Sequence, residues 1–268
     1  MLAHAVAGRS HVMRNYLLRA VANNALWCDA VCRAEGTPGE FRKALWLNSH
    51  GTPPYYPDVV TLAPVAAAPE QMEAIAALVE APRGAGWTVK DSFRSLDLSP
   101  LGFTPLFDAE WILRLPMADD AQKRTTELQW AAVRSEGDLQ LWSKAWAGEA
   151  ADVETLRIFA ASLLSHHEAN FLFALADGIP LCGGILNRGA GVVGLSNVFH
   201  AEVDPEIVWR GLLREAARRF PELPVVGYEC GEELAVAQRA GLRPVGPLRI
   251  WCRPAAGEGS DGQTAGAR

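Results

Sequence analysis

The sequence predicts a mixed α/β protein made of two related units, each with strands alternating with helices. Two observations carry this. Segments with strand-type alternation take turns with segments of helical period along the chain, and one strand, helix, strand passage recurs in each half. Composition agrees: of 268 residues 49% are hydrophobic and 21% charged, as in packed domains, with 9 Trp to fill cores or pockets. A chain of this length accommodates one large domain or two small ones.

In order, residues 17–34 place Leu26, Trp27, Ala30 and Val31 on one helical face that ends at Gly36. The turn-rich run GTPPYYPDVVTL leads into a strand over 59–62, and 69–78 reads as a helix with Met72, Ile75, Ala76 and Val79 in phase. Gly84 and Gly86 break the chain before a strand over 87–92. A short helix over 96–101, stopped by Gly102, and a strand over 106–113 complete the first half.

The second half predicts a strand over 128–133, a helix over 153–164, and strands over 171–176 and 181–186 joined at Asp177-Gly178, a hairpin signal because Gly accepts positive φ. The strand over 192–199 is apolar enough to be central. Residues 204–220 form an amphipathic helix with Asp204 as N-cap and Pro205 in the first turn. A strand over 225–229, a helix over 232–240 stopped by Gly241, and a strand over 248–252 close the fold. The tail 255–268 has no apolar anchor and is expected to be disordered.

Aligning VKDSFRSLDLSPLGFTPLFDAEWI (89–112) with VVGYECGEELAVAQRAGLRPVGPLRIW (225–251) exposes the repeat: a strand, a short helix, a Gly-Phe or Gly-Leu step, a proline, and a strand containing Trp111 or Trp251. It divides the chain into a degenerate first unit (1–118), a fuller second unit (119–254) and the tail. The net charge of −6 disfavours broad attraction to nucleic acid or anionic lipid. No stretch approaches the roughly 20 apolar residues of a membrane span, and the opening is broken by His4, Arg9, His11 and Arg14. Five scattered cysteines argue for free thiols and a cytoplasmic setting; Cys28 and Cys32 read as two buried thiols, and no metal is expected.

The order hairpin (171–186), apolar strand (192–200), long helix (204–220), strand (225–229), then helix and Gly-Leu step (237–242) resembles the GNAT (GCN5-related N-acetyltransferase) superfamily, closely over 125–253 and loosely over 20–115. The resemblance implies two such units in tandem, each a mixed, mostly antiparallel sheet flanked by helices, and N-acyl transfer, with the fourth and fifth strands splayed around an acyl thioester such as acetyl-CoA and a helix N-terminus receiving its pyrophosphate. It places Val198, Phe199 and His200 beside the donor's arm, and Trp209, Arg210 and Gly211 near its phosphates. In the segment HAEVDPEIVWRGLL (200–213), however, Pro205, Glu206 and Val208 stand where the family has a basic residue and glycines, and Glu202, Asp204 and Glu206 repel phosphate. The family's acid tyrosine matches Ala237.

His200 and Glu229, at the ends of the two splayed strands, are candidate bases or simply strand-end polar groups, and Tyr228 is a candidate acid if the splay aims it inward. Ser196 and Asn197 interrupt an apolar strand, so they line the cleft or make core hydrogen bonds. In PPYYPD (53–58), Tyr55, Tyr56 and Asp58 form a substrate wall or a packing wedge. Trp27, Trp46 and Trp87 are expected in the first unit's core, and His166 with His167 cap a helix. The acceptor is expected to be a small-molecule amine, and the protein a monomer or homodimer. Alternative donors are an acyl carrier protein or aminoacyl-tRNA, and a further alternative is a binding protein that kept the fold without the chemistry.

Overall fold

The computed structural model describes residues 2–81, 83, 85–117, 128–148 and 150–255, with the backbone alone for 2–10. The tail beyond 255 and the expected unit boundary at 118 and 119 lie outside these residues. The first half comprises α1 (Leu2–Ala34), β1 (Glu40–Phe41), β2 (Leu45–Leu47), β3 (Val59–Thr61), α2 (Ala68–Val79), β4 (Trp87–Asp91) and β5 (Thr104–Arg114). The second comprises β6 (Trp130–Ala132), α3 (Glu136–Ala147), α4 (Val153–Leu156), β7 (Ala169–Ala176), β8 (Ile179–Gly189), β9 (Val192–His200), α5 (Pro205–Arg219), β10 (Val225–Glu229), α6 (Gly231–Arg239) and β11 (Arg243–Arg253). Among the described residues no helix is long and apolar enough to cross a membrane.

All the described strands join one sheet in the order β1-β2-β3-β4-β11-β5-β10-β9-β8-β7-β6. Its centre shows how the repeat is built. Each unit offers a parallel pair, Val59 with Val89 and Val60 with Lys90 in the first, Val193 with Val225 and Gly194 with Val226 in the second. Each unit's last strand then lies against the other unit: β5 pairs antiparallel with β10, β11 with β4, and β5 with β11 between them.

Alternation sorts the side chains onto two faces. Ala109, Trp111 and Leu113 of β5, Leu248 and Ile250 of β11, and Val226 pack with Ala20 and Val21 of α1. Trp87 and Val89 pack beneath α2, while Val225, Ile112, Leu195 and α5 form the core of the opposite face in the second unit. A further cluster joins the two halves through Trp27, Trp46 and Val60 on one side and Trp142, Phe171 and Phe199 on the other. Trp27, Trp46 and Trp87 are buried as expected, although Trp27 and Trp46 belong to this shared cluster. Cys28 and Cys32 are free buried thiols.

Two expectations are corrected. The helix predicted over 153–164 is only the short α4 and a 3-10 turn at Ala161–Ser165. The helix in this region is α3, started by a capping box between Ser135 and Asp138 and burying Leu139, Trp142, Ser143 and Trp146 at helical spacing. The helix expected over 96–101 reduces to a 3-10 turn at Ser99–Leu101, because the Asp91 carboxylate takes the Leu96 N–H at 2.8 Å and holds the preceding chain in a turn. The short strands β1 and β2 carry no sequence pattern long enough to read. The Asp177-Gly178 turn is as predicted, both residues having positive φ, 50° and 80°.

Trp142 anchors the shared cluster: it stands edge-on to Phe159, Phe171 and Phe199 at 5.2–5.4 Å and donates to the Leu172 carbonyl at 2.9 Å. Trp142→Ala is expected to cost about 3–5 kcal/mol by the cavity it leaves, measured by urea unfolding; a loss under about 1 kcal/mol would contradict this placement.

Candidate active site

The site is created where the sheet comes apart. β9 and β10 pair only at Val193–Val225 and Gly194–Val226; beyond that point β10 stays with β5 through Gly227, Tyr228 and Glu229, while β9 stays with β8. Strands that part in mid-sheet leave unpaired backbone groups facing the gap. A cleft of about 500 Å³ occupies it, walled by α1, the 55–57 loop, the end of α3 and both strands.

A bulge decides which residues of β9 face which way. The register of β8 with β9 slips between Gly183–Phe199 and Ile185–Ser196, and Asn197 takes φ of 53°. Before the bulge, Val193 and Leu195 pack on the α5 face. After it, Val198 is on that face and Phe199 joins Trp142 on the other, which carries His200 round to the α5 and α6 side. Gly183 permits this, since a side chain there would strike the Phe199 ring. His200 Nε2 lies 3.2 Å from Glu233 Oε1 on α6, and Trp209 Nε1 lies 3.5 Å from the other oxygen of Glu233.

Glu229 ends β10 on the same side. Burial, with the neighbouring Glu233 carboxylate adding to it, raises its carboxyl to about 8. On the α1 side of the cleft, Tyr228 stands edge-on to Trp111 at 5.5 Å, and Lys90 Nζ sits 4.2 Å over the Tyr228 ring. Trp27 donates to the Tyr56 hydroxyl at 3.1 Å, and Tyr55, 64% exposed and at φ of 67°, meets Trp146 edge-on at 5.9 Å. Ser196 Oγ is buried without a hydrogen-bond partner among the described residues.

The cleft therefore brings together His200, Glu229, Tyr228, Val198, Phe199, Ser196, Asn197, Tyr55 and Tyr56. Four other candidates lie elsewhere. Asp58 is buried in a structural network, bound to Arg83 at 2.6 Å and to the Thr88 N–H at 2.8 Å. Trp209 is buried in the core under α5. Gly211 lets α5 approach Trp130, whose indole would be 2.6 Å from any added Cβ. Arg210 pairs with Glu206 at 2.5 Å on the exposed face. Sequence reasoning missed Lys90, Asn24, Trp111, Trp146 and Glu233; only the repeat offered a signal, by setting Lys90 against an apolar Val226.

The N-terminus of α5, where the resemblance puts a pyrophosphate, does not fit one. Pro205 has no N–H, the Glu206 N–H is taken by the Asp204 side chain at 2.8 Å, and the Ile207 and Val208 N–H groups return to the Asp204 carbonyl. Glu206 holds both nearby guanidinium groups, Arg210 and Arg239. The turn is already capped, by an acid, and its cations are engaged.

No family model matches the sequence, and no curated protein does. Solved structures do. A GCN5-related N-acetyltransferase from Kribbella flavida superposes with a TM-score of 0.59 at 14% identity, over 90% of this chain and 96% of that one. A GNAT-family protein from Novosphingobium aromaticivorans gives 0.53 at 11% identity, over 86% and 99%. A conserved protein of unknown function from Staphylococcus epidermidis gives 0.50 at 11%, over 70% and 78%. With the parted strands, the long helix and the repeat already in place, these likenesses show that the chain has the fold of the GNAT superfamily.

Proposed function

We propose that the chain is an N-acyltransferase that moves an acyl group from a thioester to the amine of a small molecule, in the opening between β9 and β10. The observation that carries this reading is the opening itself, with Glu229, Glu233 and His200 gathered at its end. The Glu233 carboxylate, joined by Glu229 once that group ionises, attracts an ammonium group. The ammonium group gives one proton to water, the free amine attacks the thioester carbonyl and forms the C–N bond, the Glu229 carboxylate takes the second proton from the attacking nitrogen, and the C–S bond breaks. The protonated Glu229 then supplies the leaving sulfur. A carboxyl near 8 suits this exchange, because a thiol titrates at about 8.5 and proton transfer is efficient between matched groups. His200, held by Glu233, orders that corner of the site. The first unit (1–118) supplies the wall facing the acceptor, through α1, the 55–57 loop and Lys90.

The capped α5 favours a particular reading of the donor. An acyl group presented on a carrier-protein thiol, or as an aminoacyl ester on tRNA, needs no diphosphate cradle at that turn; the net charge of −6 favours the carrier protein of these two. Acetyl-CoA titrated calorimetrically into the protein is expected to give no saturable heat at about 100 μM, well above the lower end of typical enzyme KM values. Asp204→Gly/Glu206→Gly, which removes the cap and frees Arg210 and Arg239, is expected to gain binding. Micromolar binding by the wild type would show that the donor is held as ordinary CoA. Val208 is left unchanged in this test because its side chain is in the core.

For catalysis, Glu229→Gln is expected to lower kcat/KM by about 10²–10⁴-fold, and the wild-type profile to rise with pH to a plateau above about 8. A profile unaltered by Glu229→Gln would remove Glu229 from the proton path. Stability gives an independent check. The folded-state carboxyl titrates above the roughly 4.3 of an unfolded Glu, so its relative stabilisation is complete below that value and is lost as pH rises through about 8. Glu229→Gln is therefore expected to melt above the wild type at pH 8–9 and level with it near pH 4.

A further inference from the structure

Lys90 is 2% exposed and lines the cleft, yet among the described residues no carboxylate pairs with it. Its Nζ donates to Asn24 Oδ1 at 2.8 Å and rests over the Tyr228 ring. A neutral amide and a ring leave a buried ammonium undercompensated, which is costly in a folded protein. Asp29 is committed to Arg33, the Gly39 N–H and Trp46, Asp58 to Arg83, and Glu233, which shares the cleft with Glu229, to His200. Cys28, which also lines the cleft, is kept a neutral thiol because burial pushes its pKa up.

The repeat shows that the fold does not ask for this charge. Lys90 and Val226 hold equivalent places, each the second residue of its unit's parallel pair and each on the α1 face. The second unit fills its place with an apolar side chain, and the first puts an ammonium group into the cleft. The same cleft is lined by Trp27, Trp111, Trp146 and Tyr228, which suit an apolar or aromatic body.

We propose that Lys90 anchors a carboxylate on the acceptor, so that the amine substrate is an amino acid or a close derivative. Its carboxylate lies at Lys90 and Asn24, its amine at Glu229, and its side chain against the aromatic wall. This rests on the acyltransferase reading of the cleft.

The test uses the full chain and binding alone. Leucine, phenylalanine, tryptophan and glutamate are titrated calorimetrically, each beside its decarboxylated amine, with succinate as an anion lacking the amino group. At least one amino acid is expected to bind wild type about ten- to a hundredfold more tightly than its amine and than succinate, the loss typical of a missing charge-assisted hydrogen bond. Lys90→Met should abolish that preference while leaving amine binding within about threefold. It should also melt no lower than wild type, since it removes an undercompensated charge.

Equal binding of amino acid and amine to wild type would overturn the proposal, as would equal binding of succinate, no binding by any amino acid, or a preference that survives Lys90→Met. Should Lys90→Met fail to fold, Lys90→Gln and the wild-type comparison decide in the same way. An acyl-transfer assay on wild type beside the binding series separates the two readings. A carboxylate preference without acyl transfer counts against the catalytic reading alone, and transfer to amines without that preference counts against the assignment of Lys90 alone.

Discussion

The antiparallel pairing of β5 with β11 couples two sheets that would otherwise each end in an open edge. Because β5 also pairs with β10 and β11 with β4, each unit is completed by a strand of the other. Unpaired strand edges are unfavourable and prone to wrong partners, so the exchange fixes how the units sit together. It also fixes the cleft. β10 is held by β5 along its whole length, which leaves β9 free to part from it after two pairs without loosening the sheet.

The same exchange explains how two faces of one sheet serve one site. The α1 face carries Lys90, Trp111 and Tyr228, contributed by β4, β5 and β10. The other face carries Glu229, Glu233 and His200. The gap between β9 and β10 joins them, and the Asn197 bulge is what puts His200 on the second face. Groups that attract a cation and one that attracts an anion thereby line a single aromatic-walled space.

Local chemistry was legible in the sequence and nonlocal pairing was not. The span of β10, the Asp177-Gly178 turn and the Asp204-capped α5 follow from alternation, positive φ and capping, all of which act within a few residues. The repeat was legible too, but it says only that two segments are alike, and nothing in it says that their last strands change places. α3 was passed over although Leu139, Trp142 and Trp146 lie at helical spacing, because Gly137 and the apolar Leu141 blur its start and its polar face. Of the site, the strand-end residues His200 and Glu229 were visible from their position. Lys90 was not, since a lysine in an alternating strand reads as solvent-facing until the cleft above it is known.

Exchanged strands also set the order in which the protein can be completed during synthesis. When the first half has left the ribosome, β4 still lacks the neighbour it will have, because β11 follows every other described strand of the sheet. Trp87 and Val89, covered by α2, belong to a core that also needs Trp251. The N-terminal half therefore spends the whole time of translating the second half with a strand-wide vacancy in its sheet. Its native sheet is complete only when β11 takes its place between β4 and β5.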